Sequence, residues 1–416
     1  MKSFGTLSGH PLQRLVVPVI AWALLCFSTA SLCNGQPPKN PPQFGDPIPG
    51  LSVNELVRFE AGKEAFTEVE GVADGIGPVF NRNSCVACHD NQATGGGSEI
   101  FSTRIGAKKS NGPFDPLMKF GGPTIQTEGI VGREGYLLQG EVIPRQATIV
   151  ARRRTPPTFG FGLVDAVPES NLILLSLKQN LLTPKTAGFP NYVTNMRTGR
   201  YAVGKFGWKA GIATLFDFAG DAYKDEMGIT TPGWFRSGDG RLIDEENPPQ
   251  GNAAVLEFNP ATDPNEEDVL DIVLFNDFMS FLAPPPRGKE TGATKQGEHV
   301  FSRIGCADCH VPTLYTGAHP SAALSFKSFH PYSDFLLHDM GSLGDGIEQG
   351  FGTGSQMRTA PLWGLRVQKS FLHDGRASTI SDAILQHAGQ GRFSKSRFEQ
   401  LPAKDRSDLL AFLNSL

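Results

Sequence analysis

Two pentapeptides constrain this chain more than anything else in it: Cys85-Val86-Ala87-Cys88-His89 and Cys306-Ala307-Asp308-Cys309-His310. The Cys-x-x-Cys spacing sets two thiols about one helical turn apart, where each can add to one vinyl group of a haem. The next residue then offers an imidazole to the iron. The chain has six cysteines, and the two motifs use four of them. A redox dithiol would want a neighbouring βαβ pattern, and a zinc site would have to gather four ligands from two distant motifs. The expectation is therefore two covalently bound c-type haems, attached through Cys85, Cys88, Cys306 and Cys309. His89 and His310 would be the proximal iron ligands.

The N-terminus reads as an export signal. Lys2 and Arg14 precede an apolar run, Leu15 to Phe27, which gives way to Ser28-Thr29-Ala30-Ser31. That is the order of the charged, apolar and small-residue regions of a secretory signal. We take residues 1–35 as signal, with cleavage after Ala30 or near Gly35, and expect a periplasmic protein. It would touch the membrane only if the segment is retained. A net charge of −4 gives no basic surface for nucleic acid. The 48 Gly and 31 Pro, without a collagen period, point to a loop-rich globular chain.

The expected fold is mainly α: two cytochrome c-like haem lobes with long irregular loops and insertions. An N-terminal lobe with a large insertion would cover 36–284 and a C-terminal lobe 285–416, divided at Pro284-Pro285-Pro286. Helices are expected over Glu55–Phe66, Trp208–Met227 with Gly228 as C-cap, and Asp268–Leu282. Others should run into the second motif at Gly297–Phe301, open at Thr379 with Asp382, and open at Pro402. Ala147–Arg154 is expected as a strand. Two internal matches suggest related lobes. Val79-Phe80-Asn81-Arg82-Asn83-Ser84-Cys85 matches 300–306 at Val, Phe, Arg and Cys, and Arg154-Thr155-Pro156-Pro157-Thr158-Phe159-Gly160 resembles 358–364.

Several further stretches carry a family likeness: Gly77-Pro78-Val79-Phe80, Phe159-Gly160-Phe161-Gly162-Leu163 and Phe206-Gly207-Trp208-Lys209-Ala210. With them go Met227-Gly228-Ile229-Thr230-Thr231-Pro232, Ser333 to Gly341, Arg358 to Leu365, and Phe371-Leu372-His373-Asp374-Gly375-Arg376-Ala377. Over roughly 55–416 the chain resembles the bacterial di-haem oxidoreductases often labelled thiol oxidoreductase-like, relatives of the di-haem cytochrome c peroxidases. Where those relatives usually read His-Gly-Gly-Glu-Ala, this chain has His387-Ala388-Gly389-Gln390-Gly391, so no role is carried over for that glutamate.

The resemblance implies an oxidoreductase, and the distribution of histidine shapes how it would work. None of the nine histidines lies between His89 and His299. The first haem is then open, bound by Met118 or another Met, or bound from the C-terminal half. An open iron would take peroxide or another small ligand. For the second haem, Met340 and Met357 lie at suitable loop distances after His310, and a thioether there would make an electron-transfer centre. His338 and His373 are further candidates for that ligand or for propionate partners. Glu68, Glu70, Asp74, Asp90 and Glu99 are acids near the first motif, and Trp363 could relay electrons between haems. The expected function is a peroxidase-like di-haem oxidoreductase working with a redox partner protein or a small oxidant. The alternative is a pure electron-transfer cytochrome serving a partner enzyme.

Overall fold

The computed structural model describes residues 41–71, 74, 76–77, 79–109, 112–129, 139–229 and 269–416. The segment read as a signal and Thr230-Thr231-Pro232 lie outside the described residues. Two helix pairs carry the architecture. Helix α1 (Val53–Thr67) opens with a full capping box between Ser52 and Glu55. The short α2 (Phe161–Asp165) and the longer α3 (Glu169–Leu182) follow later, then α4 (Leu215–Met227) and α5 (Val269–Phe281). Beyond the proline run come α6 (Gly292–Arg303), α7 (Ile380–Leu385), α8 (Arg392–Glu399) and α9 (Ala403–Leu413).

The pairs α1–α5 and α6–α9 cross in the same way. An added Cβ at Gly62 would lie 2.2 Å from the Leu274 carbonyl oxygen, and at Gly297 1.9 Å from that of Asp408. Only glycine permits backbones this close. Four residues on, each helix presents a buried phenylalanine to its partner: Phe66 meets Phe278 at 4.9 Å and Phe301 meets Phe412 at 5.3 Å between ring centroids. The same two rings reach the motif histidines, Phe66 to His89 at 6.0 Å and Phe301 to His310 at 6.4 Å. Each pair thus supports one pentapeptide on an aromatic core.

The chain is not mainly α, as its sequence led us to expect. Of the described residues 36% are helical and 15% lie in strands, so the fold is mixed. The physical reason is the stretch between the first motif and α2. There Phe101–Lys108 pairs antiparallel with Phe114–Asp115, Thr124–Ile125 and Ile149–Arg154. Ile105, fully buried, joins Leu117 and Ile125 in a small core of its own. The expected strand over 147–154 is this sheet's Ile149–Arg154 edge.

The two internal matches divide. Val79–Phe80 is a two-residue strand paired with Glu128–Gly129, whereas Val300 and Phe301 are helical in α6, so that match has no structural counterpart. The other match does. Arg154 and Arg358 each end a strand, and six residues on Gly160 (φ 73°) and Gly364 (φ 72°) each take the left-handed conformation that starts a turn of helix.

Candidate functional site

In both motifs the residues Cys85–Ala87 and Cys306–Asp308 form one 3₁₀ turn. The histidine amide donates back to the first cysteine's carbonyl, His89 at 3.0 Å and His310 at 2.9 Å. This turn sends both thiols and the imidazole toward one side. His89 Nδ1 lies 3.0 Å from the Gly96 carbonyl and His310 Nδ1 lies 2.9 Å from that of Tyr332. A carbonyl can only accept, so Nδ1 carries the proton and Nε2 keeps its lone pair. Burial pushes both imidazoles down to about 4, so they are neutral, the form that ligates iron. Burial raises the thiols instead, Cys85 and Cys306 up to about 12 and Cys88 up to about 11. None is a thiolate nucleophile at neutral pH, and none is in a disulfide.

Each motif opens onto its own cavity, of about 190 Å³ at the first and about 230 Å³ at the second. Arg154, Pro156 and Trp208 line both. The expected helix over 208–227 begins only at Leu215, where Thr214 caps by accepting from the Asp217 amide. Residues 207–210 form a turn instead, closed by the Ala210 amide on the Gly207 carbonyl, and Trp208 Nε1 donates to the Arg154 carbonyl at 2.8 Å. Trp363, considered above as a relay, is buried against Phe329 and lines neither cavity.

Helix α4 forms one wall of the first cavity with Phe218, Ala219, Asp221, Ala222, Tyr223, Asp225 and Glu226, a helical stripe. Burial pushes Glu226 up to about 7, and burial together with the Asp225 charge does the same to Asp221. Asp225 goes the other way: despite its burial, Lys224 and Arg104 hold it below the usual carboxylate range. Arg104 lies 3.1 Å from it and Thr124 Oγ1 donates at 2.8 Å, while Asn81 Nδ2 donates to Glu226 at 2.7 Å. None of Glu68, Glu70, Asp74, Asp90 or Glu99 lines this cavity. Met118 is 63% exposed and lies away from it.

The second cavity gathers Met340, Met357, His338 and His373, and adds His387 and Gln390. His338 is bonded at both ring nitrogens, to Asp334 at 2.8 Å and to the Cys309 sulfur at 3.3 Å. His387 repeats the arrangement of the motif histidines: Nδ1 donates to the Ala383 carbonyl at 2.8 Å, and burial lowers its pKa. It stands beside Met340, since a Cβ at Gly391 would meet His387 Cδ2 at 2.9 Å and Met340 Cε at 3.2 Å. Gln390 accepts from the Asp339 amide and donates to the Ala187 carbonyl. A glutamate carboxylate could not make that second bond.

The residues fit haem. The Nε atoms of Arg104 and Arg154 are buried in the first cavity's wall without a hydrogen-bond partner, donors suited to propionate carboxylates. In the second, Arg358 is 4% exposed and lies over Phe335, its pKa pushed down to about 10 by burial. Among the described residues no group of three or more His, Cys, Asp or Glu converges as a metal cage. No described helix is long and apolar enough to cross a membrane.

Residues 135–416 match the family model described as "Di-haem oxidoreductase, putative peroxidase". No curated protein matches the chain. Among solved structures, hydrazine synthase of Kuenenia stuttgartiensis is similar at 14% identity, covering 98% of this chain and 100% of that one, with a TM-score of 0.37. A MauG-like protein associated with microbial copper homeostasis is 16% identical over 92% and 95%, with a TM-score of 0.39. A variant of the diheme peroxidase BthA from Burkholderia thailandensis is 14% identical over 86% and 85%, with a TM-score of 0.38.

Proposed function

The chain belongs to the di-haem oxidoreductase family, and from that membership we propose an exported di-haem c-type cytochrome that reduces hydroperoxide at the first motif's cavity. Its electrons arrive through the second. Cys85, Cys88 and His89 hold the first haem, Cys306, Cys309 and His310 the second, each in its own lobe, 36–284 and 285–416. The observation that carries this reading is the asymmetry of the two cavities. The second contains His387, held by its Nδ1 bond with Nε2 left to ligate. The first is walled instead by small Ala219 and Ala222 and by protonatable acids. His387, rather than Met340 or Met357, would hold the iron of a haem in the second cavity. Met357 Sδ already lies 3.8 Å from the Lys209 ammonium.

A haem held at the first site would supply redox chemistry suited to splitting the O–O bond of a hydroperoxide. The protein supplies the rest. Reduction to two waters takes two protons, and carboxyls near 7 both carry and release one at neutral pH. Glu226, oriented by Asn81, and Asp221 hold those protons at the cavity wall. Arg104 and Arg154 keep negative charge there stable. Trp208, common to both cavities, is the relay between the two sites.

The test is stopped-flow absorbance of the reduced protein mixed with hydrogen peroxide. Both haems should oxidise, the second through the first. Glu226→Gln and Asp221→Asn should slow the reaction without changing the resting spectra. If peroxide and carbon monoxide leave both haems unperturbed, the electron-carrier reading replaces this one.

A further inference from the structure

Tyr223 stands out in the first cavity as a group the peroxide chemistry above does not use. It is 4% exposed, and its ring lines the cavity. Its hydroxyl lies 3.2 Å from Asp271 Oδ2 and 3.4 Å from Glu70 Oε1. Glu70 is itself 7% exposed. Cys85, the attachment cysteine of the first motif, lines the same cavity. Packing does not call for this arrangement. Phenylalanine would make the same edge contact with Phe275, now 5.1 Å away, and Glu70 would not need burying beside a half-buried Asp271. Other described tyrosines differ: Tyr192, Tyr201 and Tyr315 are exposed, and Tyr332, bonded to Glu298, lines neither cavity.

We propose that Tyr223 is a redox-active residue of the first site, supplying one electron when hydroperoxide has been reduced there and the second site has none to give. The inference rests on the peroxidase reading above. Hydroperoxide takes two electrons from the site as its O–O bond breaks, and Tyr223 returns one. The phenol O–H bond breaks as the electron leaves, and the proton passes along the 3.2 Å hydrogen bond to Asp271, leaving a neutral tyrosyl radical. Burial, then the Asp271 charge, pushes Glu70 up to about 7, so the carboxylate pair can hold an added proton near neutral pH. Without that acceptor the phenol would have to become a buried cation, which the apolar wall opposes.

The experiment mixes the fully oxidised, haem-loaded protein with hydrogen peroxide and freezes it at intervals for EPR, with optical spectra from the same samples. A radical whose hyperfine pattern narrows when the tyrosines are deuterated is expected. Tyr223→Phe should abolish it while the optical response to peroxide persists, and Asp271→Asn should delay its rise. Peptide mapping after prolonged peroxide should find oxidised tyrosine at position 223. An optical response with no tyrosine radical, or the same radical in Tyr223→Phe, overturns the proposal alone. Optical silence overturns the peroxidase reading and this proposal with it.

Discussion

Replacing Gly297 by alanine pits two effects of opposite sign against each other. Helix propensity alone favours the change by up to about 1 kcal/mol, because glycine is a poor helix former. The new Cβ, however, would lie 1.9 Å from the Asp408 carbonyl oxygen and 2.7 Å from Phe412 Cβ. Those atoms belong to α9, and backbone cannot swing aside as a long side chain can. Overpacking of this kind costs roughly 1–3 kcal/mol, and a backbone clash sits at the upper end. The net expectation is a loss of about 2 kcal/mol, or roughly 2–3 °C in Tm for a cooperative unit of this size. Gly292, in the same helix with nothing within 4 Å of its added Cβ, is the control. Gly292→Ala should be neutral or stabilising by up to about 0.5 kcal/mol. Thermal unfolding followed by circular dichroism and by the Soret band reads both. If Gly297→Ala is as stable as the parent, or more so, the close α6–α9 crossing is wrong.

Other expectations follow from the site. With Glu226 and Asp221 as the proposed proton donors, both raised to about 7, the peroxide rate should fall as pH rises through about 7, and Glu226→Gln should flatten that part of a stopped-flow profile. Trp208→Phe should slow electron transfer between the haems in flash-reduction traces, with both resting spectra intact, whereas Trp363→Phe should not. Arg358→Leu removes a buried cation from the second cavity and should lower that haem's potential, on the order of tens of millivolts by potentiometry. Cys306→Ser with Cys309→Ser should leave a protein whose intact mass exceeds its polypeptide by one haem rather than two.

The pentapeptides were legible because their chemistry is local: five consecutive residues set the turn, the thiols and the imidazole. The capped helix start at Thr379–Asp382 was legible for the same reason, whereas the capping box at Ser52–Glu55, which starts α1 two residues before the expected Glu55, was not read. What a short match means was not legible. The 79–85 likeness to 300–306 and the 154–160 likeness to 358–364 have four identities each, yet the first joins a strand to a helix and the second marks a shared strand end and left-handed glycine. Helix α3 escaped because its leucines occupy both faces: Leu172 is buried, while Leu174, Leu177 and Leu181 are 60–80% exposed, so no single apolar stripe appears. The acids of α4 lie more than a hundred residues from the first motif, and only the fold brings them to its cavity. His387 could have been found from its place in the family's His-Gly-Gly-Glu-Ala run. Its meaning, though, comes from the Ala383 carbonyl that fixes its proton.

The account stands on one cavity being open to small ligands and the other closed by His387. Carbon monoxide titrated into the fully reduced protein measures this directly. It should bind once per chain, and twice in His387→Ala. Two equivalents in the unaltered protein, none at all, or one equivalent still in His387→Ala would contradict it.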